Sequence, residues 1–232
     1  MTTRIELSKP DTTTFAKDGA LRIRRALDAS DLRGLENAVA SLPPDQAGIR
    51  LYGIPALRPL LTSSGAIWNV AASVLGDAAR PVRAILFDKT ASTNWGLPWH
   101  QDRTIVVDRR VEVEGFGPWT IKSGLLHVAP PFELLAGMVT LRVHLDAVPK
   151  TNAPLLIAPG SHRLGQIPEG RLKSVIRHCG TATCLADAGD IWLYSTPILH
   201  CSEAARAPAH RRVLQVDFAA SDLPGGLTWL AI

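Results

Sequence analysis

Residues 137–146 read G-M-V-T-L-R-V-H-L-D, a stretch in which apolar and polar side chains alternate. Because residues two apart on a β-strand point to the same face, Arg142, His144 and Asp146 are predicted to share one face. Four further stretches are strand-like and are separated by Gly, Pro and Asp turns: 81–89, 154–158, 190–194 and 211–219. Short strands of this kind are typical of an all-β sandwich or barrel.

The first eighty residues differ from this pattern, since they combine helical periodicity with one strand. A turn at Asp18-Gly19 precedes an alternating segment that predicts a strand. One helix is predicted from a cap at Ser30 to about Leu42, and a second from Ser64 to about Leu75. We therefore expect a single domain over residues 1–232, in which a helix-rich part (1–80) packs on a β part (81–232).

Length and composition favour one ordinary globular domain. The chain has 232 residues, of which 20% are charged, with a net charge of +4. It contains neither an apolar run long enough to span a membrane nor a signal-like N-terminus, and its basic residues lack the aromatic interleaving of a nucleic-acid platform. We expect a cytoplasmic protein that binds a small molecule, with no nucleic-acid or membrane partner.

The motif W-H-Q-D at 99–102 places His100 and Asp102 two residues apart, and hence on one face of a strand. The pair either binds a metal or is a simple imidazole–carboxylate contact. A metal site needs another ligand, and His200 is the best candidate, since it follows an apolar strand and a short turn. Four of the remaining histidines have simpler roles in pairing, turns or solvation: His144, His162, His178 and His210. His127 follows a glycine-rich stretch and is not explained as simply.

Two imidazoles and one carboxylate on one face of an octahedron form the facial triad of non-heme Fe(II) oxygenases. The open positions suit a chelating 2-oxo acid and O₂. A 2-oxo dicarboxylate also needs a partner for its distal carboxylate, and arginine binds carboxylates through two parallel hydrogen bonds. Arg211 lies eleven residues after His200, and Arg212 points to the opposite face.

The chain resembles the phytanoyl-CoA dioxygenase family of Fe(II)- and 2-oxoglutarate-dependent oxygenases. The resemblance rests on four stretches: 15–27, 87–102, 139–165 and 200–219. It implies a mainly β fold, a double-stranded β-helix (a cupin-like jelly roll) with flanking helices. The stretch 119–131 departs from the members that hydroxylate phytanoyl-CoA, so the substrate class is left open.

The resemblance also implies roles for individual residues. His100, Asp102 and His200 would be the catalytic metal ligands, and Arg211 would hold the distal carboxylate of 2-oxoglutarate. Three further residues would contact the cosubstrate: Ser202, Lys89 and Asn94. Substrate contacts are expected from Gln101 and from residues in or just after a glycine-rich stretch (113–124) that reads as a long loop: Trp119, Lys122 and His127.

These observations together predict a dioxygenase that uses Fe(II), 2-oxoglutarate and O₂ to hydroxylate a C–H bond of a small molecule, with release of succinate and CO₂. Asp102 favours hydroxylation over halogenation, because a halide would need the position that this carboxylate occupies. Two alternatives remain from the residues alone: a cupin-like metalloenzyme that does not use 2-oxoglutarate, and a non-catalytic jelly roll that binds a ligand.

Overall fold

A computed structural model describes residues 6–43, 46 and 48–232, and antiparallel β-sheets dominate this part of the chain. The strands are β1 (Ala20–Ile23), β2 (Ile49–Leu51), β3 (Arg80–Lys89), β4 (Leu97–His100), β5 (Ile105–Val106), β6 (Trp119–Lys122), β7 (Leu125–Val128), β8 (Val139–His144), β9 (Leu155–Ile157), β10 (Ala182–Cys184), β11 (Ile191–Ser195), β12 (His200–Ser202) and β13 (Arg211–Ala219).

The strands form three sheets. A six-stranded sheet has the order β1-β11-β8-β13-β3-β2, a four-stranded sheet the order β10-β9-β12-β4, and a small sheet the order β5-β7-β6. Every paired strand in the described ranges is antiparallel. The expected jelly-roll architecture is thus confirmed, although the sheets do not close into a continuous barrel.

The helices lie mostly in the N-terminal third. They are α1 (Lys9–Asp18), α2 (Ala29–Val39), α3 (Arg58–Leu61), α4 (Ala66–Leu75), α5 (Phe132–Ala136) and α6 (Leu172–Cys179). The main hydrophobic core joins α2, α3 and α4 to one face of the six-stranded sheet, with fully buried residues from both parts: Leu35, Ile67, Leu141, Leu193 and Phe218. None of the described helices has the length and apolar character needed to cross a membrane.

The starts and ends of the predicted helices needed correction. Asp28, not Ser30, caps α2, because its carboxylate accepts hydrogen bonds from the backbone N–H groups of Ser30 and Asp31. This helix also ends at Val39, before the predicted Leu42. The second predicted helix, α4, begins at Ala66, two residues after the predicted start at Ser64. Ser64 adopts a left-handed backbone conformation (φ 74°) that is incompatible with a helix.

The prediction of a long loop over 113–124 was wrong for its second half. Residues 119–122 form β6, which makes a hairpin with β7, and β7 in turn pairs with β5. The glycines that suggested a loop lie before β6 and in the tight turn at Ser123-Gly124. The expected binding residues of this segment therefore sit on a hairpin, where strand alternation decides which of them face the interior.

Candidate metal centre

Two histidines from adjacent strands lie opposite each other in the four-stranded sheet. His100 ends β4 and His200 begins β12; they are direct partners in the antiparallel register, and their ring centroids are 4.3 Å apart. Asp102 follows two residues after His100. One possible ligand atom from each of the three residues lies within 4.8 Å of the other two. Residues separated by about a hundred positions in the chain thus meet at one point that can hold a metal ion.

Backbone hydrogen bonds fix the tautomer of both imidazoles. The Nδ1 atom of His100 lies 2.7 Å from the carbonyl oxygen of Pro98, and that of His200 lies 2.9 Å from the carbonyl oxygen of Ile198. A carbonyl oxygen only accepts, so each Nδ1 carries the proton and donates. In the neutral ring the Nε2 lone pair is then available, which is the usual arrangement for histidine ligands.

The carboxylate of Asp102 is held by a buried ion network. Arg83 on β3 lies between two acids, with Nη2 3.2 Å from Oδ2 of Asp102 and Nε 2.5 Å from Oδ2 of Asp217. The other oxygen of Asp217 accepts a hydrogen bond from the hydroxyl of Thr140 at 3.0 Å. Arg83 therefore orients Asp102 through one oxygen and leaves its Oδ1 free of hydrogen bonds from the residues that the structure describes.

Protonation favours metal binding at this point. Burial lowers the pKa of His200 to about 4, so its ring is neutral at pH 7. Burial alone would raise the pKa of Asp102, but Arg83 and the two imidazoles outweigh that effect and hold it below its usual range. Both groups are thus in the deprotonated form that metal ligation requires.

Replacement of Arg83 by glutamine is expected to weaken metal affinity by about 10- to 100-fold, the usual cost of losing a group that orients a ligand. Calorimetric titration with Fe(II) under anaerobic conditions measures the effect. Arg80→Gln is the matched control, because Arg80 lies on the same strand but pairs with the exposed Asp222. Because Arg83→Gln leaves buried carboxylates unpaired, Arg83→Lys is tested beside it and should partly restore affinity. Unchanged Fe(II) affinity in a folded Arg83→Gln protein would contradict the role.

A cavity of about 400 Å³ opens beside the three residues. It falls in the range of roughly 300–1,000 Å³ that is typical of small-molecule sites. Alternate residues of β3 line it, namely Arg83, Ile85, Phe87 and Lys89, together with residues of β8 and β13 from the same sheet and residues of β9 and β12 from the four-stranded sheet. The interior face of the jelly roll therefore forms a binding site that contains the candidate metal ligands.

Arg211 and Lys89 lie opposite each other in the register of β13 and β3 and form a basic end of the cavity. The Lys89 ammonium contacts the carbonyl oxygens of Trp95 and Glu203 and lies 3.4 Å from the hydroxyl of Ser202. Arg211 is 2% exposed and donates to the carbonyl of Ala153, while its Nε has no partner among the described residues.

This basic end has more positive charge than its surroundings neutralise. Burial, together with the charges of Arg211 and Arg142, lowers the pKa of Lys89 to about 8. Burial and Arg142 lower the pKa of Arg211 as well. Buried cations without a counter-ion are costly, so an incoming dicarboxylate would relieve this repulsion.

Gln101 and Asn94 use their amides to hold the protein together. Gln101 lines the cavity, but it donates to the carbonyls of Gly165 and Pro197 and accepts from the N–H of Ile167. Asn94 bonds the backbone of Ala205 through both ends of its amide. Both amides thus position the loops around the site, and the expected ligand contacts of these two residues stay predictions.

The β6–β7 hairpin separates the other three expected contacts. Lys122 and His127 are on one face of the hairpin and line the cavity. Trp119 is on the opposite face, where it packs in a second hydrophobic cluster and under the guanidinium of Arg110. We assign Trp119 to packing, because strand alternation turns it away from the cavity.

Sequence reasoning missed several charged or polar residues of the cavity: Arg50, Arg83, Arg142 and Gln215. For Arg83 a signal was present, since it shares the alternating face of Ile85, Phe87 and Lys89. Gln215 likewise shares the face of Arg211 on β13. Arg50 lies on a three-residue edge strand with no periodicity that could indicate its direction.

A family model provides the decisive comparison. The model described as phytanoyl-CoA dioxygenase (PhyH) matches residues 15–213, which is most of the chain. The chain belongs to the PhyH family. The matched region of this PhyH protein includes the candidate metal centre and the basic end of the cavity, from Lys89 through His200 to Arg211. No curated protein matches the chain.

Solved structures give the same fold at low identity. The EctD protein from S. alaskensis in its apo form has a TM-score of 0.67 and 18% identity over 92% of this chain and 77% of EctD. SnoK, a non-heme α-ketoglutarate-dependent carbocyclase from nogalamycin biosynthesis, has a TM-score of 0.65 and 18% identity over 93% and 85%. HygX from Streptomyces hygroscopicus, with nickel, 2-oxoglutarate and hygromycin B bound, has a TM-score of 0.63 and 15% identity over 92% and 87%.

Proposed function

We propose that this PhyH-family protein is a non-heme Fe(II)- and 2-oxoglutarate-dependent dioxygenase that hydroxylates a C–H bond of a small molecule. The observation that carries the proposal is the meeting of His100, Asp102 and His200 within 4.8 Å, beside a cavity with a basic end. Membership of the PhyH family supports it. So does the likeness to EctD and HygX, which have been solved with iron and with 2-oxoglutarate bound.

The donor set fits iron. Two imidazoles with free Nε2 atoms and one carboxylate oxygen are the facial triad that Fe(II) oxygenases use. The three donors come from two adjacent strands and the loop after β4, and backbone carbonyls and Arg83 hold them in place. When bound together, iron, 2-oxoglutarate and O₂ supply an oxidant that can hydroxylate a C–H bond, and the cosubstrate leaves as succinate and CO₂.

The protein's own residues bind the cosubstrate and protect the reaction. Arg211 grips the distal carboxylate of 2-oxoglutarate with its fork of N–H donors, and the Lys89 ammonium and Ser202 hydroxyl contribute beside it. The apolar side chains of Ile85, Phe87 and Leu155 line the cavity between its polar groups and limit water there. Asp102 occupies the position that a halide would need, so hydroxylation is the proposed outcome.

Anaerobic titration of the protein with Fe(II) and 2-oxoglutarate tests the assignment. A weak visible charge-transfer band that needs both additions is the expected result, followed by succinate release when O₂ is admitted. Iron binding without the band would instead favour a cupin-like metalloenzyme that does not use 2-oxoglutarate. Absence of both the band and succinate would favour a non-catalytic ligand-binding protein and would overturn the proposal.

The apparent KM for 2-oxoglutarate is expected to rise with pH. The pKa of Lys89 in the folded protein is about 8, below its usual value, so the ammonium is present at pH 7 and is mostly lost at pH 9. The protonated fraction falls by about tenfold between these values, and this factor is the upper limit of the rise in KM, because Arg211 still binds the carboxylate. Succinate formation at several pH values measures it. Lys89→Gln should have a raised KM at pH 7 and a flatter pH profile; an unchanged slope in that variant would assign the dependence elsewhere.

A further inference from the structure

The cavity has a second set of basic groups that the proposed cosubstrate does not use. Arg50 on β2 and Lys122 and His127 on the β6–β7 hairpin line it. They belong to elements other than those that carry Arg211, Lys89 and Ser202. We call these three residues the hairpin-side cluster.

Strand register brings the cluster together. In the hairpin His127 pairs with Thr120, and Lys122 pairs with Leu125, so His127 and Lys122 share one face. The guanidinium of Arg50 donates from Nη1 to the hydroxyl of Ser123, in the hairpin turn, at 2.9 Å. This bond ties the edge of the six-stranded sheet to the turn and keeps Arg50 next to Lys122.

The positive charge of the cluster is not neutralised within the protein. Asp102 is the one carboxylate among the described residues that line the cavity, and Arg83 already engages it. The side chain of Lys122, which is an exposed residue, makes no ion pair or hydrogen bond with the residues that the structure describes, and the Nε of Arg50 is buried without a partner among them. Burial and the neighbouring arginines lower the pKa of Lys122. A bound Fe(II) ion would add positive charge, so it would not relieve this repulsion.

His127 adds a hydrogen-bond acceptor of defined direction. Its Nδ1 lies 2.9 Å from the carbonyl oxygen of Leu125 and must donate to it. The residue is 1% exposed, and its Nε2 is buried without a partner among the described residues. Burial lowers the pKa of this ring, so Nε2 carries a lone pair at pH 7. A buried polar atom of this kind is costly unless a ligand pairs with it.

We propose that the hairpin-side cluster is the substrate site, and that the substrate is a small acid with an oxyanion, a carboxylate or a phosphate monoester, which also bears an O–H or N–H group. Arg50 and Lys122 bind the oxyanion, and His127 accepts a hydrogen bond from the hydroxyl or amine. This inference rests on the proposed oxygenase function, since it names the substrate class of that same cavity.

The test is anaerobic calorimetry on the protein loaded with Fe(II) and saturating 2-oxoglutarate, so that the Arg211 end is occupied. The probes are 3-hydroxybutyrate with its methyl ester and with butyrate, and glycerol 3-phosphate with glycerol, within a panel of similar pairs. The variants are the double substitution Arg50→Gln/Lys122→Gln and the single substitution His127→Leu. The matched control is Arg109→Gln, which removes an exposed positive charge outside the cavity.

Acids are expected to bind more tightly than their esters or parent alcohols, by about 10- to 100-fold, and the double variant should lose this preference while the control retains it. His127→Leu should lose the preference for 3-hydroxybutyrate over butyrate but keep the preference for acids over esters. The substrate's oxyanion is identified by comparing the affinities for 3-hydroxybutyrate and glycerol 3-phosphate, since the tighter binder shows whether the cluster prefers a carboxylate or a phosphate.

Equal binding of acids and esters, or binding of no acid in the panel, would overturn the proposal when the charge-transfer band is present. Loss of the band in the unsubstituted protein is a separate result, since it would refute the oxygenase assignment. If acids still bound in that case, and if their binding depended on Arg50 and Lys122, the cluster would be an anion-binding site in a protein that is not an oxygenase.

Discussion

Asp102→Ala is expected to abolish hydroxylation and to weaken Fe(II) affinity by more than about 100-fold, because groups that only orient a ligand already cost 10- to 100-fold. The substitution removes the single carboxylate donor of the triad and leaves two neutral imidazoles, His100 and His200, to hold a dication. Calorimetric Fe(II) titration and succinate formation measure the two effects. The loss is specific to the site, since Arg83 keeps its partner Asp217 and the fold retains its buried ion pair.

The control for this substitution is Asp108→Ala. Asp108 lies on the same segment just after β5, but its side chain is exposed and outside the cavity. It should bind iron and release succinate like the unsubstituted protein. An Asp102→Ala protein that remains folded and hydroxylates at the full rate would refute the assignment of Asp102 as a ligand.

Arg211→Ala is expected to raise the KM for 2-oxoglutarate by about 30- to 4,000-fold, since truncating one partner of a buried charge pair costs roughly 2–5 kcal/mol. Arg211 is 2% exposed and lies at the basic end of the cavity, so its guanidinium is shielded from bulk solvent. Fe(II) affinity should change little, because the metal ligands lie on β4, on β12 and in the loop after β4. Titration of the charge-transfer band with 2-oxoglutarate, at a fixed iron concentration, separates the effect on cosubstrate binding from the effect on iron binding.

Arg212→Ala is the matched control for Arg211. The two arginines are adjacent on β13, but Arg212 points to the opposite face and pairs with Asp146 and Glu36. Its loss should lower stability and leave the KM for 2-oxoglutarate unchanged. The opposite holds for Arg211, whose removal relieves repulsion with Arg142 and should not lower the melting temperature of the protein without cosubstrate. Equal effects of both substitutions on KM would contradict the proposed grip.

Much of the fold could be predicted from the sequence, because the local order of apolar and polar residues matches the side of each element that is buried in the structure. Alternation in 139–144 and 211–219 predicted two central strands of the large sheet, and the apolar period of residues 67–74 predicted a helix. Such patterns reflect which side of an element is buried. The stretch 154–158 likewise predicted β9, but the three-residue strands β10 and β12 were not predicted, because a single alternation is too short to distinguish a strand from a loop.

The hairpin of β6 and β7 illustrates what local signals leave out. Its glycines predicted a loop, and the same segment contributed Trp119, Lys122 and His127 as one group of candidate contacts. Pairing of β6 with β7, and of β7 with β5, decided the strands. The register then divided the group, with Trp119 on one face and Lys122 and His127 on the cavity face. Registers depend on hydrogen bonds between segments that are distant in the chain, which no local pattern specifies.

By itself, the sequence determined the residue types and the spacing: His100 and Asp102 on one face, a distant His200, and an arginine eleven positions later on a strand whose alternation sets its direction. Tertiary structure alone decided that these residues meet, that Arg83 bridges Asp102 to Asp217, and that Arg50 joins Lys122 and His127 around one cavity. The physical reason is the distance along the chain over which each signal acts, since strand alternation and turn residues reflect only a few neighbouring positions. Convergence on a metal site and burial of charge depend on which strands pair across the whole domain.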